Sequence, residues 1–196
     1  MRQSIIPDGN VTSPQGFLAG SIHSGVKEEK DDLVILYSDT STASAAVFTQ
    51  NRAAAAPVII SREVFSQEDV RAILINSGNA NACTGLQGLE DARLIQQRTA
   101  EILGLTPNQI GLASTGVIGV PLPVDTILSG ISSVVKVMAA DQGSKAAEGI
   151  MTTDTLKKEI AVEINIGGKR IVIGGMAKGS GMINPNMATM LGFITT

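Results

Sequence analysis

A hydroxyl or thiol nucleophile needs a base, and this sequence offers one imidazole, His23, and one thiol, Cys83. Any Ser-His-Asp or Cys-His arrangement would have to use His23, and a zinc site would have at most His23, Cys83 and carboxylates as ligands. The setting Ser21-Ile22-His23-Ser24-Gly25 predicts a structural or solvent-facing ring, Cys83 is expected to be a small buried hydrophobe, and no metal is expected. Thr189 is the other candidate nucleophile. Small Ala188 precedes it, a glycine-rich stretch lies upstream, and Lys178 is near in sequence. Without a useful histidine, a terminal amine beside the hydroxyl can act as base, and an internal threonine gains that amine only when the bond before it is cut. A threonine in an apolar run is ordinarily a β-former, so these residues permit self-processing without requiring it.

Two stretches could deliver backbone to a reacting group. Asn76-Ser77-Gly78-Asn79-Ala80-Asn81-Ala82-Cys83-Thr84-Gly85 is dense in amide and small side chains. Its asparagines can brace a loop through side-chain-to-backbone bonds, which is the first expectation, or touch a ligand directly. Ser114-Thr115-Gly116-Val117-Ile118-Gly119 follows a strand-like run, the position where α/β folds place ligands. The glycines do not spell a nucleotide site. Gly179-Ser180-Gly181 lacks the third glycine of a dinucleotide fingerprint, and Gly167-Gly168-Lys169 lacks Walker spacing and sits in a hairpin signal.

Composition narrows the class. Apolar residues make up 43% of 196 and charged residues 17%, which excludes a disordered chain. A net charge of -3 and an absence of Trp give no basis for nucleic-acid binding. No run approaches the ~18 apolar residues of a membrane span, and the N-terminus lacks a signal-peptide core, so a cytoplasmic location without a membrane partner is expected.

The elements that must position these residues follow from periodicity. Residues 1–30 read as irregular, and Lys27-Glu28-Glu29-Lys30-Asp31-Asp32 as a solvated turn. Residues 33–38, 44–49, 57–61, 70–76 and 110–114 read as strands. A helix is predicted over 88–103, with Leu89, Ala92, Ile95, Thr99 or Ala100 and Leu103 inward, and Arg93, Gln96, Gln97 and Arg98 largely outward. Pro123 opens a second helix to about 138, and 145–150 forms a shorter one. Ile160, Val162, Ile164 and Ile166 alternate with Glu159, Glu163 and Asn165, and Gly167-Gly168 turns the chain into an antiparallel return over 170–173. The expectation is one domain over 1–196, an α/β sandwich with mixed β-sheets and flanking helices, carrying a glycine-rich segment over 174–196.

Four motifs, in this order, resemble the N-terminal half of the ornithine acetyltransferase family, the bifunctional glutamate N-acetyltransferases of arginine biosynthesis. They are the Asn76 to Gly85 loop, Ser114 to Gly119, Met151-Thr152-Thr153-Asp154, and Gly175-Met176-Ala177-Lys178-Gly179-Ser180-Gly181-Met182 through Ala188-Thr189-Met190-Leu191. The resemblance implies a precursor that cuts itself between Ala188 and Thr189 into α and β chains that stay together, the β chain completing the fold. It implies an α2β2 heterotetramer whose Thr189 takes an acetyl group from N-acetylornithine and passes it to glutamate. In bifunctional members acetyl-CoA is also a donor, as a substrate, and no cofactor is implied. By the family pattern Thr115 and Gly116 form the oxyanion hole, while Thr152, Lys178 and Thr189 contact substrate. Lys178 would pair with a substrate carboxylate, or depress the Thr189 amine pKa by like charge, or serve structure alone. A mature α chain would end at Ala188, whereas this sequence continues to Thr196. With the Ala188–Thr189 bond intact there is no free amine and no turnover is expected. Two other readings stand beside the transferase: a terminal-threonine hydrolase resembling an aminopeptidase, and a non-enzymatic α/β module that binds an amino acid.

Overall fold

The computed structural model describes residues 3–67, 69–179 and 190–196. Its described strands form two four-stranded sheets. The first, in the order β2 (Phe17–Ile22), β3 (Leu33–Ser38), β4 (Ala72–Asn79) and β5 (Ile110–Val117), is mixed: β2, β3 and β4 pair antiparallel, while β4 and β5 run parallel. The second, in the order β1 (Gln3–Ile5), β6 (Lys158–Ile166), β7 (Lys169–Lys178) and β8 (Leu191–Thr195), is antiparallel throughout. Helices α1 (Ala56–Val64), α2 (Gly85–Leu103) and α3 (Val124–Lys136) back the first sheet, and α4 (Gly143–Gly149) lies against β2 and β3. The expected α/β sandwich with flanking helices is present.

The first sheet is buried on both faces. Leu33, Ile35, Ala72, Leu74, Ile110 and Leu112 pack with helix residues such as Ile60, Ile95, Ile127 and Ile131. Val34, Leu36 and Ile75 point the other way, into a second core with Met176 of β7, Ala146 and Ala147 of α4, and Leu191 and Phe193 of β8. A strand covered on both sides has no polar face to show, which is why Leu33-Val34-Ile35-Leu36 reads as an unbroken apolar run.

Several local expectations are corrected. Residues 57–61 are helical: Pro57 sits in the first turn, and Ala56, Ile60 and Val64 fall on one buried face at a four-residue spacing. Packing against β5 outweighs the strand preference of Val58-Ile59-Ile60. Residues 44–49 form no strand. Within 1–30, two strands are present where irregular chain is expected. β2 is cryptic because Gly20 and Ser21 dilute its apolar signal, yet Gly20 is needed there: a Cβ would stand 2.5 Å from the Val134 carbonyl oxygen of α3. In α2, Gln96 points inward and donates to the Pro107 and Ile110 carbonyls, so an amide occupies the buried stripe.

The alternation in β6 is present with a consequence. Ala161 is fully buried, while Ile160 and Ile166 face outward at 52% and 46% exposure. Register sets Val162 between Ile5 and Ile173, Ile164 against Ile171, and Gly175 between Ile160 and Ile194. The outer face of the second sheet is therefore apolar. Among the described residues, no helix is long and apolar enough to cross a membrane.

Candidate functional site

The asparagine-rich loop is a brace. Asn76 accepts from the Ser114 hydroxyl at 2.5 Å and donates to the Asn79 carbonyl. Asn79 donates to the Val120 and Pro121 carbonyls, and its side-chain oxygen accepts from the Asn81 N–H. Asn81 donates to the Gly88 carbonyl near the start of α2 and accepts from Thr84. These bonds fix the chain as it leaves β4 and tie it to the exit of β5. Asn81 and Cys83 hold positive φ angles of 45° and 58°, a conformation such a network can enforce. Cys83 is exposed and not the small buried hydrophobe expected, because this turn projects it away from the core.

At the same strand ends, Gly116 has φ 137°, and a Cβ there would lie 2.2 Å from the Gly78 carbonyl carbon. The two backbones touch at a register shift between β4 and β5, so a side chain at 116 is sterically forbidden. Thr115, one residue earlier, is nine-tenths buried.

Lys178, the last residue of β7, reaches that point from the other sheet. Its ammonium donates to Thr152 Oγ1 at 2.6 Å and to Thr115 Oγ1 at 3.2 Å, with only 3% of the residue exposed. Three predicted site residues, Thr115, Thr152 and Lys178, thus converge from β5, from the turn after α4, and from β7. Burial pushes the Lys178 pKa below the usual lysine range; Asp154 opposes that and Lys158 adds to it. Thr115 Oγ1 accepts from an ammonium, so its own hydroxyl hydrogen can donate elsewhere, and the bond polarises it as a donor.

Other groups complete the surround, and sequence reasoning gave them no role. The Asp154 carboxylate is fully shielded and stands 3.8 Å from Lys178 Nζ. Its presence in Met151-Thr152-Thr153-Asp154, just ahead of Lys157-Lys158, was the available signal. The charge run at 27–32 is also more than a solvated turn. Asp32 is fully buried and accepts from the Ser24, Gly25 and Lys27 backbone amides and the Ser24 hydroxyl. Burial opposes its ionisation, but those donors hold its pKa below the carboxylate range. The wrapped loop sends Lys27 Nζ to the Asp31, Gly149 and Met151 carbonyls, fixing the end of α4 immediately before Thr152. His23 is part of the same loop: its side chain is 43% exposed and its Nδ1 lies 2.9 Å from the Lys30 carbonyl oxygen. It has the structural, solvent-facing place expected of it.

Ala188 and Thr189 lie outside the described residues. Leu191, two positions after Thr189, pairs with Lys178 across β7 and β8.

Comparison with known proteins agrees with the fold. The ArgJ family model matches residues 18–196. The arginine biosynthesis bifunctional protein ArgJ of Caldanaerobacter subterraneus subsp. tengcongensis is 48% identical over 97% of this chain and 47% of its own length. That of Dehalococcoides mccartyi is 50% identical over 98% of this chain and 48% of its own length, so the chain spans about half the length of the curated relatives it matches. The crystal structure of ArgJ from Bacillus halodurans superposes with TM-score 0.90 at 39% identity, covering 95% of this chain and 98% of that one. Ornithine acetyltransferase from Mycobacterium tuberculosis, solved with ornithine, gives TM-score 0.90 at 35% identity, covering 95% and 100%.

Proposed function

Because the chain belongs to the ArgJ family, we propose that it is the first half of an acetyltransferase of arginine biosynthesis that moves an acetyl group from N-acetylornithine to glutamate. The observation that carries this reading is the Lys178–Thr115 contact, which leaves a polarised hydroxyl donor beside the Gly116 backbone. Acyl transfer passes through an oxyanion, and a preorganised donor is worth about 2.7–4 kcal/mol there.

The chemistry proceeds in two stages. For processing, the Thr189 hydroxyl attacks the Ala188 carbonyl, the peptide bond breaks to leave an ester and a free Thr189 amine, and water hydrolyses the ester to the Ala188 carboxylate. For transfer, that amine takes the hydroxyl proton while the oxygen attacks the acetyl carbonyl of N-acetylornithine. Ornithine leaves with the proton, giving acetyl-Thr189. The amine of glutamate then attacks the ester, and N-acetylglutamate departs with the threonine regenerated. Thr115 and Gly116 stabilise the oxyanions; Lys178 and Thr152 hold substrate, with the ammonium on a carboxylate. Acetyl-CoA serves as a second donor, and no cofactor takes part. The partner is the β chain of the same precursor, in an α2β2 assembly in the cytoplasm. The uncovered apolar face of β1, β6, β7 and β8 supports such a partner.

Mass spectrometry of the full-length precursor tests the processing step. Two fragments are expected, the second beginning at Thr189, and one intact chain for Thr189→Ala; an intact wild type overturns the scheme. Incubation with N-acetylornithine should give N-acetylglutamate only when glutamate is present. Acetate released without an acceptor would mean a hydrolase.

A further inference from the structure

Asp154 joins three segments beside the site: β6 through Lys158, the end of β7 through Lys178 and Gly179, and the turn that carries Thr152. Its Oδ1 accepts from Lys158 Nζ of β6 at 2.6 Å and from the Gly179 N–H at 2.9 Å. Its Oδ2 accepts from the Thr152 N–H at 3.4 Å and lies 3.8 Å from the Lys178 ammonium. The side chain is fully shielded from solvent, and burial alone would favour its neutral form. The bonds from Lys158, Gly179 and Thr152 prevail and hold its pKa down at about 2, so it is a carboxylate at any working pH.

We propose that Asp154 is a positioning residue: it fixes the Thr152 backbone, the Gly179 amide and the Lys178 ammonium as one unit, so that Lys178 is held charged and aimed at Thr115 and Thr152. The kinetic consequence rests on the acetyl-transfer reading above; the structural one does not. The remaining charges facing Lys178 make the need plain. Lys158 comes from β6 and biases the buried ammonium toward the neutral amine, and Lys178 in turn lowers the pKa of Lys27, in the loop after β2, whose burial lowers it most. Asp154 is the only anion among the groups shown to act on Lys178. Thr115 and Thr152 are neutral hydroxyls that would accept from an ammonium but cannot replace that charge.

The experiment uses the full-length protein as wild type, Asp154→Asn and Asp154→Glu, with two readouts. The first is the pH profile of kcat/KM for acetyl transfer. The second is the titration of Lys178 by NMR of lysine-labelled protein, its signal identified by loss in Lys178→Arg. Asp154→Asn should lower kcat/KM on the order of 10²-fold, as displacement of a positioned group does. It should also move the alkaline limb of the profile, and the Lys178 titration, to lower pH. Asp154→Glu, which keeps the charge, should keep most of the Lys178 titration while losing part of the rate. If Asp154→Asn does not fold, Asp154→Ser, which also removes the charge, takes its place with the same expected results. A profile of the charge-removing variant within about twofold of wild type overturns the proposal, as does its losing rate with an unmoved Lys178 titration, the mark of a merely structural residue. Should the wild type fail to transfer acetyl while Asp154→Asn still shifts Lys178, the transferase reading falls and the positioning role stands.

Discussion

The two sheets have the same number of strands and opposite exposure. The β2-β3-β4-β5 sheet is covered by three helices on one face and by the second sheet with α4 on the other. The β1-β6-β7-β8 sheet is covered on its inner face and leaves Ile5, Ile160, Ile166 and Ile194 outward, at 68%, 52%, 46% and 79% exposure. Both hold isoleucine, so composition does not separate them. What separates them is what lies opposite: the first sheet has packed apolar neighbours on both faces, and the second only on its inner face, through residues such as Met176, Leu191 and Phe193. Alternation tells a reader which residues share a face and leaves open which face is buried.

Four measurements would break or sharpen that contrast. Ile75, fully buried between the sheets, should be the most costly to truncate: Ile75→Ala is expected to lose about 2–5 kcal/mol in denaturant melts, and a loss under about 1 would mean the inter-sheet core is loose. Thr115→Ala removes the first sheet's contribution to the site, and kcat in the full-length protein should fall about 10²–10³-fold with substrate affinity little changed. A rise in KM alone would make Thr115 a ground-state contact. Acid tests the second sheet's side. Asp154 is depressed from 3.8 to about 2, so it contributes roughly 2 kcal/mol that is fully present above about pH 4 and lost as pH falls through about 2. Asp154→Asn should flatten that part of the stability profile, and an unchanged profile would remove Asp154 from the account. Ile160→Ser should change the stability of this chain by no more than about 0.5 kcal/mol. In the full-length protein the same change should cost clearly more if a partner covers this face, and equal costs would leave the face solvent-exposed.

Much of the frame was legible because it is dictated locally. β3, β4 and β5 announce themselves as apolar runs, α2 and α3 as 3.6-residue stripes, and the β6–β7 hairpin through Gly167-Gly168 between alternating strands. What failed was decided at a distance. The 57–61 run is β-branched, yet the surface it meets on β5 accepts a helix; β2 carries Gly20 because α3 approaches it, and neither fact is written near those residues. Asp32 belongs to a charge run in which Glu28, Glu29 and Lys30 are exposed, and only the fold of the 23–32 loop buries Asp32 and aims Lys27 at the end of α4. For the site, Thr115, Gly116, Thr152 and Lys178 came from a family resemblance, and the structure brings Thr115, Thr152 and Lys178 into contact, with Gly116 next along the chain. Asp154 lies in the Met151 to Asp154 motif and still had no role there, because Gly179, 25 residues on, meets it only through the fold.

Thr115 is carried by one sheet and Lys178 by the other, so the 3.2 Å between them is also a gauge of the seam where the sheets meet. Warming a protein loosens such seams at a lower free energy than it takes to separate hydrogen-bonded strands. The contact should then open while both sheets are still intact. Activity is expected to fade at temperatures where circular dichroism still reports full strand content, and the thermal optimum would be set by the seam rather than by melting.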